Sequence, residues 1–95
     1  MQNGKVKGEY RRFTPQEIGT AVVMFRKMMD WKQLTLASEA GVNERTVQRI
    51  ECGEKVEDES LRKIAKALRL AEDAFVGPCY IPTEEELEAM VAKAK

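Results

Sequence analysis

Apolar residues recur along this chain at the three-to-four-residue spacing of helices, in six blocks separated by short turns. The first block carries Ile18, Val22, Phe25 and Met29, with Met28 alongside. Thr14-Pro15-Gln16-Glu17 opens it with an N-cap, a proline at the first helical position and a glutamate three residues after the cap. Trp31 follows and reads as a core anchor. The second block places Leu36, Ala37 and Ala40 on one face, and the third does the same with Val47 and Ile50. A fourth helix is predicted from near Asp58, with Leu61, Ile64, Ala65 and Leu68 inward and Arg62, Lys63, Lys66 and Arg69 solvated. A short fifth is predicted over Ala71 to Val76, stopped by Gly77-Pro78. Residues to Pro82 read as a linker. Thr83 and Glu86 then form a second capping box, opening a final helix with Leu87, Met90, Val91 and Ala94 on one side.

Between the second and third blocks the pattern becomes specific. Gly41 sits where a chain leaving a helix takes a left-handed residue, Val42 plugs the angle between the helices, and Asn43 is the N-cap candidate for the third. Two short helices joined by so tight a turn have the layout of a DNA-reading helix-turn-helix. Every outward position of the second of them is polar: Glu44, Arg45, Thr46, Gln48 and Arg49. Such a helix faces water or a groove.

Gln33, Leu36, Ala37, Gly41, Val42, Val47, Ile50, Glu51, Gly53, Ile64, Ala65, Ala67 and Leu68 together resemble the phage repressor and Cro class, also called the xenobiotic response element family. The resemblance covers residues 17 to 76 in register, without a gap. It implies an all-α fold: a compact five-helix repressor-type helix-turn-helix bundle, here with an added C-terminal amphipathic helix, and a third helix that enters the DNA major groove. It also implies roles. Glu44, Arg45, Gln48 and Arg49 would contact bases, since Arg matches guanine, Gln matches adenine and Glu accepts from cytosine. Gln33, Thr46, Lys32 and Asn43 would contact phosphates. Glu44 departs mildly from a DNA-contacting pattern, because a misplaced carboxylate repels phosphate. Glu51 is expected to accept hydrogen bonds within the fold rather than to meet DNA.

Composition changes this picture in one respect. The 95 residues carry 16 cations and 16 carboxylates, a net charge of zero, whereas DNA binding draws on cations that neutralise phosphates. The distribution is uneven. Residues 1 to 13 hold four cations against one carboxylate, residues 14 to 53 balance, and residues 54 to 95 hold seven cations against ten carboxylates. The expected organisation is a flexible basic arm over 1–13, the helix-turn-helix domain over 14–77, and a linker with the amphipathic helix over 78–95. Lys5, Lys7, Arg11 and Arg12 make the arm a candidate for DNA contact, with a solubilising tail as the plainer alternative. No apolar run approaches the roughly 18 residues of a membrane span, and a cytoplasmic protein without membrane contact is expected. With no histidine and only Cys52 and Cys79, neither a metal site nor a cofactor is expected.

The final helix needs a cover, because isolated helices under about 12 to 15 residues are marginal in water. Its own domain, a second subunit, or neither can supply one. Leu87, Met90 and Val91 are therefore candidate dimer or partner contacts. A homodimer would present two reading helices to a palindromic operator of double-stranded DNA. The rival function is a protein-binding module, such as an antitoxin whose acidic last helix covers a toxin. Catalysis is not expected, since no nucleophile has a base beside it and no glycine-rich phosphate loop occurs.

Overall fold

The computed structural model describes residues 8–94. Both halves of the first capping box form. The Glu17 amide donates to Thr14 Oγ1 at 3.1 Å and the Thr14 amide to Glu17 Oε1 at 2.8 Å. Helix α1 (Pro15–Met28) starts there. Helices α2 (Gln33–Ala40), α3 (Glu44–Glu51) and α4 (Asp58–Ala67) follow, each a few turns long. Their apolar stripes meet as the sequence pattern requires: Val22, Leu36, Val47, Ile50 and Ile64 are the largest fully enclosed side chains. Helix α3 packs on both α1 and α2, and α2 also packs on α4. Trp31, Val42, Phe25 and Met29 close the margins of this core.

Gly19 decides how closely α1 and α3 approach. A Cβ at this position would lie 2.5 Å from the Ile50 carbonyl oxygen and 3.3 Å from that of Glu51. The last turn of α3 therefore rests on the bare backbone of α1. Glycine inside a helix costs roughly 0.5–1 kcal/mol relative to alanine, and here the contact it permits offsets that loss.

The chain departs from expectation in two places. Residues 71 to 76 form consecutive turns, closed by Ala74 N–H to Ala71 O at 2.9 Å and Val76 N–H to Asp73 O at 3.2 Å, and not a fifth bundle helix. The left-handed Arg69 (φ 66°) on one side and Gly77-Pro78 on the other leave too few residues for helical turns to accumulate. Phe75 and Val76 are nonetheless buried, so the segment still caps the core.

The second departure is a two-stranded antiparallel ribbon. Strand β1 (Glu9–Arg11) lies in the expected flexible arm and β2 (Cys79–Ile81) in the expected linker, with Tyr10 opposite Tyr80. Their rings meet edge to face with centroids 5.3 Å apart. Two isolated strands are marginal, and this pair is pinned at both ends. Arg11 donates from both terminal nitrogens to the Glu17 carboxylate, at 2.8 and 2.9 Å. The Glu86 carboxylate accepts from the Tyr80 hydroxyl at 2.7 Å and from the Gly8 and Thr83 amides at 2.9 Å each. Thr83 and Glu86 also form the second predicted capping box, opening α5 (Glu84–Ala94). Among the described residues no bundle helix packs along α5. Leu87, Met90 and Val91 remain exposed, so the described residues leave this part of the stripe uncovered.

Gly19→Ala gains helix propensity of about 1 kcal/mol but must push α3 away. A net loss of about 1–3 kcal/mol is expected in urea unfolding, and unchanged or higher stability would refute the close-approach account. The second prediction concerns acid. The Arg11 guanidinium, then the Thr14 amide, hold Glu17 down from 4.5 to about 2. The Tyr80 hydroxyl, then the Thr83 amide, hold Glu86 down to about 2. Folded values below unfolded ones mean that these contacts stabilise the fold fully above pH 4.5, and that the contribution is lost as pH falls from there toward 2. In an NMR titration of the glutamate carboxylates these two should titrate well below 4.5, and Arg11→Ala should raise the midpoint of Glu17 while leaving that of Glu86 in place.

Candidate nucleic-acid interface

The turn between α2 and α3 is built from Gly41 at φ 73°, with its N–H on Ser38 O at 3.3 Å and the Val42 N–H on Ala37 O at 3.0 Å. This left-handed closure satisfies the last carbonyls of α2 and sends the chain directly into α3. Asn43 takes the N-cap position of α3 with extended backbone, yet its side chain makes no capping bond. Lys32 does the same for α2. Among the described residues the first-turn amides of both helices thus have no side-chain acceptor, and such amide ends favour anions.

Val47 and Ile50 anchor α3 in the core, which leaves Glu44, Arg45, Gln48 and Arg49 exposed on its outer face and Thr46 half-buried at its edge. Glu44 with Gln48, and Arg45 with Arg49, stand one turn apart. Among the described residues no side-chain hydrogen bond or ion pair ties down Glu44, Arg45 or Gln48. Arg49 differs: its Nε donates to Glu54 Oε1 at 3.0 Å and its Nη2 to the Lys55 carbonyl at 3.3 Å. Thr46, Arg49, Lys55, Val56, Glu57 and Ser60 line an open groove of about 500 Å³ between α3 and the start of α4.

Behind this face lies an ion pair that joins three helices. Glu51, the last residue of α3, accepts from Arg26 Nε of α1 at 2.6 Å and Nη2 at 3.1 Å, and from the Gln33 side-chain amide of α2 at 2.9 Å. Arg26 also donates to the Trp31 carbonyl at 2.8 Å. The pair is nearly enclosed, with side-chain exposures of 13% and 7%. Glu51 thus acts within the fold, as its position suggested. Gln33 directs one N–H of its side-chain amide to Glu51, so that side chain is held within the fold.

Of the arm residues, Lys5 and Lys7 lie outside the described residues. Arg11 is held by Glu17, and Arg12 Nη2 donates to Asp58 at 2.9 Å, so both have partners within the fold. Sequence reasoning passed over Arg26, Glu54 and Lys55. The signal for Glu54 was present in Gly53: a glycine after a helix brings the residue behind it over the one five positions earlier, here Arg49.

The comparisons agree with this geometry. The model of the helix-turn-helix family HTH_3 matches residues 24–75. An HTH_3 family transcriptional regulator from Vibrio cholerae shares 27% identity over 65% of this chain, with a TM-score of 0.59, and this chain spans 35% of that one. A hypothetical transcription factor, NHTF, from Neisseria aligns over 90% of this chain and 98% of its own at 21% identity and a TM-score of 0.64. A complex of the SinR and SinI proteins contains a similar fold at 22% identity, 81% and 77% coverage, and a TM-score of 0.56. A search of curated proteins finds no match. With its turn at Gly41, its core-anchored α3 and a family match over more than half its length, this chain belongs to the HTH_3 family, the Cro/CI-type helix-turn-helix of DNA-binding transcriptional regulators.

Proposed function

We propose that the protein is a sequence-specific regulator that reads a palindromic operator as a homodimer, with α3 in the major groove. The observation that carries this reading is the outer face of α3. Glu44, Arg45 and Gln48 project from a helix whose other face is locked by Val47, Ile50 and the Glu51 ion pair. Rigid mounting matters because a base pair is discriminated only when donors and acceptors arrive in register. Arg45 suits a guanine edge and Gln48 an adenine edge, while Glu44 can accept from a cytosine amino group. Lys32, Asn43, Thr46 and the backbone amide of Gln33 sit where phosphates flanking the groove would pass.

The dimer rests on α5. Leu87, Met90 and Val91 are 46%, 53% and 60% exposed on one side of a helix along which no bundle helix packs among the described residues, and a second copy would cover the stripe. A protein partner of another kind is the second reading. It is favoured by the four glutamates Glu84, Glu85, Glu86 and Glu88 around that stripe, and by the resemblance to the fold found in the SinR and SinI complex.

Selection of bound sequences from a random duplex library tests the proposal. The wild-type protein should enrich a palindrome, and Arg45→Ala should relax it at one symmetric position with a loss of about 1–3 kcal/mol. Light scattering on the same samples should report a dimer that Val91→Glu dissociates. A folded protein that enriches nothing would leave partner binding through α5 as the surviving reading.

A further inference from the structure

All four bundle helices end by the same device, and α3 differs from the others in one respect. Asp30, Gly41, Gly53 and Arg69 take positive φ after α1, α2, α3 and α4. In each case the following residue donates its N–H to a carbonyl five positions back: Trp31 to Arg26 at 3.1 Å, Val42 to Ala37 at 3.0 Å, Glu54 to Arg49 at 3.0 Å and Leu70 to Ala65 at 2.9 Å. This closure ordinarily brings an apolar side chain over the helix end. Trp31, Val42 and Leu70 conform, packing against the core. At the end of the reading helix the position is held by a glutamate.

The backbone therefore places Glu54 over Arg49, and the side chains complete the contact at 3.0 Å while the guanidinium also reaches the Lys55 carbonyl. Arg49 lies on the outer face of α3, one turn beyond Arg45. A guanidinium there would serve a phosphate or a guanine, and the carboxylate and carbonyl now occupy two of the N–H donors that either would use. We propose that Glu54 is an intramolecular competitor of DNA for Arg49, and that it sets the affinity of the reading helix. The inference rests on the DNA-reading assignment above. The pair is exposed, at 45% and 57%, so DNA can open it. Opening it is nevertheless charged against binding, and the released carboxylate then faces phosphate.

The test uses the full chain with the duplex that the wild-type protein enriches, or a mixed-sequence duplex if none is enriched. Glu54→Gln should tighten binding about two- to fivefold. It should also steepen the fall of log affinity with log salt by up to about 0.9, the value of one added phosphate contact. Glu57→Gln removes the same charge from the groove that Arg49 itself lines but leaves Arg49 tethered, and should gain less. In an Arg49→Ala background the Glu54→Gln gain should shrink to that of Glu57→Gln. Equal gains from both glutamates, or a Glu54→Gln gain that survives without Arg49, would overturn the competitor role while leaving the reading helix in place. If no variant, wild type included, binds either duplex while melting normally, the DNA-reading assignment fails and this inference with it.

Discussion

The pair between Arg26 and Glu51 is the contact on which the rest of the arrangement depends. It takes one residue from α1 and one from the end of α3, and through Gln33 it fixes the start of α2 as well. Its near enclosure makes it an orienting device more than a source of stability. Burying two charges is costly, and the attraction repays that cost only with close geometry and further hydrogen bonds. Both conditions hold: Glu51 accepts three bonds, and Arg26 also satisfies the Trp31 carbonyl. Losing either partner would strand a buried charge at about 3–5 kcal/mol. Val47 and Ile50 set the inward face of α3, and an ion pair at its last residue with a bare glycine beneath it fixes its position further.

Charge bookkeeping looks different once the pairs are known. A chain with no net charge seemed poorly suited to a polyanion, but its cations divide into two groups. Arg11, Arg12, Arg26 and Arg49 are each held by a carboxylate of the chain itself. Arg45, on the outer face of α3, has no such partner among the described residues. Recognition by a few well-placed polar side chains, with little general attraction to phosphate, is the behaviour such a surface favours.

Much of this was legible in the residues. The two capping boxes, the left-handed Gly41 and the inward register of Val47 and Ile50 are local patterns, and local patterns survive folding. The ribbon was not legible, because three-residue strands are too short to show a period and their pairing joins residue 9 to residue 81. The helix expected over Ala71 to Val76 failed because its flanking stops outweighed its composition. Gly19 went unremarked since a helical glycine declares its purpose only when the neighbouring backbone is seen. Arg49 was correctly placed on the outer face, but its partner depended on the turn at Gly53.

The ribbon also orders events in time. Its anchoring bonds span 72 and 78 residues, from Gly8 to Tyr80 and to Glu86, while α1 to α4 assemble from neighbours along the chain. Closing so large a loop forfeits chain entropy before any contact repays it, so such contacts form late. Helix α3 accordingly reaches its final orientation while α5 is still untethered. A newly made chain acquires the polar outer face of α3 first, and only then the fixed direction in which its last helix points.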